Sequence, residues 1–289
     1  MKDKKKKKSR FLNVIVIIVF LVGVGIFVYP TFSDMWNKYR NEQLVSSYQL
    51  AAEELTDEKK EELRKEAEEY NSQHSVNTIV DAFNEDDEYV LTHPYDTMLD
   101  VNGEGLMGSI EIPKLKINLA IYHGLGSDVL EKGVGHVEGT SLPIGGESTH
   151  AVLAGHRGLP SAKLFTDLDQ IEIGDVFLIK VLDETLAYKV DQIKTVLPEE
   201  TNELAIIEGE DHVTLVTCTP YGVNTHRLLI RGIRTEYVEQ AEEKTAIQKL
   251  AHVEPAKIMA VGAIVLAVVI IVIIFVFRKK KGKNSTNKQ

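Results

Sequence analysis

The sequence predicts a mainly β protein: a closed barrel of about seven to eight strands with short helices, preceded by a helical region and flanked by two membrane-spanning helices. Short runs rich in β-branched residues, punctuated by glycine and proline, crowd residues 106–234, and several alternate apolar with polar positions as half-buried strands do. Long apolar stretches stand near both ends, each beside a block of lysines and arginines. Residues Met35 to Tyr70 scatter leucines among Glu and Lys with few helix breakers.

In chain order, residues 1–10 form a basic tail, and residues 11–29 are 19 positions interrupted only by Asn13 and two glycines. That length crosses a bilayer. A cleaved signal has a shorter apolar core and a small-residue cleavage site, which Tyr29-Pro30-Thr31-Phe32 lacks, so the reading is a retained anchor with a removed signal as the alternative. Residues 31–104 are assigned to a helix and lid region. Opposite charges at helical spacing in residues 53–62 suggest a solvated helix that carries no chemistry. From Asn71 to Asn102 periodicity fades into Asp, Asn and isolated aromatics, a pattern that predicts a long loop.

The barrel is assigned to residues 105–237. Its strands are read at residues 108–113, 117–121, 151–155, 176–181, 185–190, 213–217 and 228–234, as a closed or nearly closed antiparallel barrel. Ser161 to Phe165 is read as one helical turn. A juxtamembrane linker, 238–257, leads to residues 258–277, which hold no charged residue over 20 positions, and to a basic tail, 278–289. Lysines and arginines flanking apolar spans stay on the cytoplasmic side. The expectation is therefore a two-pass cell-membrane protein with both termini inside and the catalytic region outside. Of 33 basic residues, 13 lie in the tails, as does only Asp3 of 43 acidic ones, leaving a formal charge of −22 between the spans. Such a surface excludes nucleic acid as a natural partner.

Cys218 is the single cysteine and closes an apolar run, His212 to Thr217. Outside the cell an unpartnered thiol cannot belong to an internal disulfide, which invites a chemical reading beside the plain one of a small buried hydrophobe. A nucleophilic thiol needs an imidazole within reach and a donor for the oxyanion formed when a carbonyl is attacked. Among nine histidines, two precede an arginine, His156-Arg157 and His226-Arg227, and spacing does not choose between them.

The segments Thr214-Leu215-Val216-Thr217-Cys218, Pro220 to Gly232, Gly155-His156-Arg157-Gly158, Gly135 to Pro143 and Ala162 to Phe165 together resemble the sortase family, in its class C, pilin-polymerising type from Gram-positive bacteria. The resemblance covers about residues 108–234. It implies Cys218 as nucleophile, His156 as general acid and base, and Arg227 as oxyanion and substrate clamp, leaving Arg157 and Arg231 structural or superficial. The implied reaction cleaves a Leu-Pro-x-Thr-Gly-like sorting signal between Thr and Gly and joins the acyl group to a pilin lysine. The partners implied are pilin subunits bearing sorting signals and acceptor lysines, and the membrane. Rival roles are attachment of proteins to peptidoglycan, a non-catalytic pilus-assembly scaffold, and plain proteolysis.

The family also implies a lid. Class C members carry Asp-Pro-aromatic before the barrel, and Asp81-Ala82-Phe83 stands at a matching distance with alanine for proline. Asp81 would pair with Arg227 and Phe83 would cover Cys218, with His93-Pro94-Tyr95 as a rival segment. The acidic run Glu85 to Glu88 lacks the glycine-centred loop of a strong calcium site, and neither cofactor nor metal is expected. Cys218 at a strand end also lacks the field of a helix N-terminus. With ordinary thiol and imidazole values of about 8.5 and about 6.5, only roughly 1% of molecules at about pH 7.5 would hold thiolate and imidazolium together, which predicts a slow enzyme.

Overall fold

The computed structural model describes residues 2–73, 95–236 and residue 262. The chain forms two units, residues 1–36 with 253–289 and residues 37–252. In the first unit, helix α1 (Lys2–Glu54) begins. Among the described residues this is the one helix long and apolar enough to cross a membrane, and the qualifying stretch starts at Ile15. Its apolar side chains point outward, Phe27 being 86% exposed and Ile26 70%, an arrangement that water penalises and lipid does not. The second expected span, 258–277, and the linker before it lie outside the described residues apart from Gly262.

In the second unit, α1 continues to Glu54 and α2 (Asp57–Gln73) follows. The break falls at Leu55-Thr56, where the Thr56 hydroxyl accepts the Lys59 N–H at 3.3 Å and Asp57 and Glu58 occupy the electropositive first turn. Residues 53–62 are mostly exposed, as their charge pattern predicts, but on either side of them both helices bury a face that the composition did not announce. Asn41, Val45, Tyr48 and Ala52 form a buried stripe at helical spacing. The Asn41 amide accepts the Ala120 N–H at 3.1 Å and donates to the Lys132 carbonyl at 2.8 Å. The buried Tyr48 hydroxyl donates to the Met107 carbonyl and accepts the Leu182 N–H. On α2, Leu63, Ala67 and Tyr70 join the main core, and Asn71 pairs with both backbone groups of Leu142. The buried faces went unread because a narrow apolar stripe is hidden by the charged residues on the rest of each helix.

Eight strands close the barrel: β1 (Leu106–Ile112), β2 (Ile117–His123), β3 (Val134–His136), β4 (Thr149–Ala154), β5 (Val176–Val181), β6 (Glu184–Val196), β7 (Asp211–Thr219) and β8 (His226–Thr235). Their order around it is β1-β2-β3-β4-β7-β8-β6-β5. The sheet is mixed rather than antiparallel, because β2 pairs with β3 and β4 with β7 in parallel. Parallel neighbours need a crossover, supplied by the short helix α3 (Ser127–Leu130) between β2 and β3 and by the β5–β6 hairpin between β4 and β7. Strand β3 is only three residues long, too short for a periodic signature. No helical turn forms at Ser161 to Phe165; a turn at residues 164–167 and a 3-10 helix at Leu168–Gln170 follow instead.

Alternation along the strands divides two packed faces. Ala151, Leu153, Val213, Leu215, Leu228 and Ile230 point into the barrel core. Val152, Ala154, Val216 and Leu229 point outward and are covered by Val137 and by Leu204 from the β6–β7 loop. This outer cluster is the floor on which the candidate site stands.

Candidate active site

Strand register sets the positions of the candidate residues. In the antiparallel β7–β8 ladder Cys218 lies directly opposite Arg227, a relation that puts side chains about 5 Å apart at the Cβ atoms. In the parallel β4–β7 ladder Ala154 lies opposite Val216, and His156 and Cys218 each follow two residues further on, His156 in the loop after β4 and Cys218 still within β7. The ladder is prolonged past its last pair by the Gly155 N–H on the Val216 carbonyl, 3.0 Å, and by the Thr217 hydroxyl on the Gly155 carbonyl, 2.7 Å. The Phe165 N–H binds the His156 carbonyl at 3.1 Å and fixes that residue from the other side. A side chain at Gly155 would lie 2.7 Å from the Phe165 ring, so the strand can end this closely only as glycine.

Cys218 and Arg227 therefore sit side by side on the outer face, continuing the rows of Val216 and Leu229, and His156 follows in the loop that leaves β4, two residues after Ala154. Cys218 is 7% and Arg227 8% exposed, while His156 is half-buried. Arg227 Nη1 donates to the carbonyls of Asn224 and His226 at 3.2 and 3.3 Å, which anchors one edge of the guanidinium to the β7–β8 connection. A buried guanidinium keeps its charge and offers several donors in one plane, suited to a carbonyl oxygen that becomes negative.

The same register separates the two histidines that spacing left equal. His226 pairs with Thr219 and, one residue from Arg227, takes the opposite face of β8; its Nδ1 meets the Thr225 hydroxyl at 2.9 Å. Four further histidines among the described residues are structural. His136 is fully buried, its Nε2 donates to the Ser141 carbonyl at 2.9 Å, and burial pushes it down to about 4. His150 gives Nδ1–H to the Ala205 carbonyl and accepts the Thr214 hydroxyl at Nε2, and burial likewise pushes it down to about 4. Burial also lowers His212. His123 lies between the carbonyls of Met98 and Gly105.

Asp81 and Phe83 lie outside the described residues. Tyr95 of the rival lid segment does not cover the site: it is buried, stacks on Tyr70 at 5.9 Å between centroids and meets His136 Nδ1 at 2.7 Å. Arg157 is not superficial, since its side chain is 8% exposed and spans Asp169 and Thr219. The His-Arg pair at 156–157 was the only signal in the sequence, and it gave no partner.

A closed eight-stranded barrel with a cysteine and an arginine paired across two of its strands, and a histidine just past the end of a third, defines the class of fold. The sortase domain family matches residues 110–235. Sortase D of Bacillus subtilis is 31% identical over 130 residues, 44% of this chain and 63% of that protein. Sortase A of Streptococcus agalactiae is 32% identical over 117 residues, 39% of this chain and 47% of that protein, so the chain spans about half the length of the curated relatives it matches. The solved structure of Streptococcus agalactiae sortase C1 with MTSET is 43% identical, with a TM-score of 0.64 over 68% of this chain and 99% of that one. Sortase C-1 of Streptococcus pneumoniae is 42% identical, with a TM-score of 0.64 over 68% and 100%. The chain belongs to the sortase family, and these structures align it with class C.

Proposed function

We propose that the chain is a membrane-anchored cysteine transpeptidase that polymerises pilins. The observation that supports this reading is the pairing of Cys218 with Arg227 in the β7–β8 ladder, with His156 two residues beyond Ala154, the last residue of the neighbouring strand β4. The Cys218 thiolate attacks the Thr carbonyl of a Leu-Pro-x-Thr-Gly-like signal, and the oxyanion forms against the Arg227 guanidinium. Collapse breaks the Thr–Gly bond, and imidazolium at His156 gives its proton to the departing Gly amine. A lysine amine of another subunit then attacks the thioester, gives a proton to His156 and regenerates the thiolate with an isopeptide bond formed.

Asp81 and Phe83 act as the lid in this proposal, Asp81 pairing with Arg227 and Phe83 covering Cys218 until substrate displaces them. Two spans, 11–29 and 258–277, hold both basic tails inside and the barrel outside. The test is incubation of the full-length chain in detergent micelles with candidate pilins, followed by mass-spectrometric mapping of the linkage. Thr-to-lysine isopeptide bonds that vanish with Cys218→Ala support it; hydrolysis without ligation, or polymers formed by Cys218→Ala, would refute it.

A further inference from the structure

Resting on that reading of Cys218 and His156, we infer that Arg157 is a positioning residue that holds His156 level with Cys218. The regular β4–β7 ladder stops at Ala154 and Val216, two residues short of both groups. Beyond it β4 gives way to a loop while β7 runs on to Thr219, and Arg157 ties that loop to the end of β7. Its Nη1 donates to the Thr219 hydroxyl at 3.2 Å, one residue past Cys218, and its Nη2 to Asp169 of the Leu168–Gln170 turn at 2.5 Å. The guanidinium also lies 5.9 Å from the Tyr221 ring centre, in the β7–β8 connection. Thus one side chain joins the residue after the histidine to the residue after the cysteine, with a third element as brace.

The surroundings fit this clamp closely. Arg157 is 8% exposed at the side chain, and its Nε is buried without a hydrogen-bond partner, a cost accepted only where the remaining contacts fix the group. The next residue, Gly158, has φ +83° and a Cβ there would come within 3.0 Å of the Tyr221 ring, so the loop must be glycine for Tyr221 to close over Arg157. The Gly158 N–H is held by the Thr166 hydroxyl at 3.1 Å. Backbone bonds at Gly155 and Phe165 set the height of His156, while Arg157 sets its lateral distance from β7. Displacements of about 1 Å at a proton-transfer group cost on the order of 100-fold in rate.

Arg157 acts on proton delivery to the leaving amine and not on the sulfur, so the chemistry of the leaving group separates its role from general damage. The experiment measures formation of the acyl adduct on Cys218 by intact mass, using the full-length chain in micelles. One substrate is a Leu-Pro-x-Thr-Gly peptide; the other carries the same acyl part as a thioester, whose leaving thiolate needs no proton. Arg157→Met is expected to slow acylation by the peptide about 10- to 100-fold, with KM for the peptide nearly unchanged, and to leave the thioester reaction within about threefold. Arg157→Lys recovers part of the loss. Asp169→Asn, which retains Arg157, gives a few-fold loss confined to the peptide and carries the test if Arg157→Met fails to fold. Equal losses on both substrates, a loss in KM alone, or wild-type rates for both variants would overturn the assignment. His156→Ala serves as the reference. If it loses nothing on the peptide, the underlying reading of His156 fails, whatever Arg157 does.

Discussion

Cys218 owes its setting to ladder register and not to a helix end. It lies inside β7, paired with Arg227, and the charge nearest in register is that guanidinium. A strand supplies no convergent N–H groups to acidify a thiol, so thiolate and imidazolium should coexist only in a small fraction of molecules at neutral pH. With one cysteine in the chain, the difference in ultraviolet absorbance between the wild-type chain and Cys218→Ala, which cancels the ten tyrosines, reports this thiolate alone. Absorbance rising only in the alkaline range is expected, while a thiolate already complete at neutral pH would show that Arg227 and His156 form a standing ion pair with it. The sequence carried the cysteine plainly, because one thiol in 289 residues has no rival. It did not separate His156 from His226, since both precede arginine; the parity of β8, which puts His226 on the face opposite Arg227, supports the proposed choice of His156.

At the scale of elements, most of the barrel strands were legible as period-two runs, and the failures have physical causes. Strand β3 is three residues, and the parallel β4–β7 pairing joins segments more than fifty residues apart, information that no local pattern holds. The docking of α1 and α2 was hidden because polar groups do much of it: Asn41, Tyr48 and Asn71 grip backbone amides and carbonyls of the barrel, which apolar periodicity does not report. The lid belongs to the same scale. Asp81-Ala82-Phe83 lacks the proline that would pre-set its backbone, so in the proposed lid a closed state would lose more conformational entropy and open more readily. Asp81→Ala should raise the rate of Cys218 labelling by a thiol reagent several-fold, measured as loss of free thiol. An unchanged rate would dismiss occlusion by this segment.

Over the whole molecule, buried neutral histidines link stability to pH. His136 and His150 are both pushed down to about 4 by burial, and both spend their ring nitrogens on neutral-form hydrogen bonds. An unfolded chain takes up a proton at each near about 6.5, whereas the folded chain resists until far lower pH, so acidification favours unfolding. At about pH 5 each contributes a loss on the order of 2 kcal/mol relative to neutral pH. The thermal midpoint should fall by several degrees between pH 7 and 5, and His150→Gln should flatten that slope; a midpoint indifferent to pH over this range would contradict the assignment of neutral, hydrogen-bonded rings.

Acyl capture on the single sulfur tests the central claim most directly. Intact-mass analysis of the full-length chain mixed with a Leu-Pro-x-Thr-Gly peptide should reveal a thioester on Cys218, released as a ligated product when a lysine amine is added, and strongly reduced by His156→Ala or Arg227→Ala. No adduct on the wild-type chain, or an adduct formed at undiminished rate without His156 and Arg227, would mean that the three side chains do not work together.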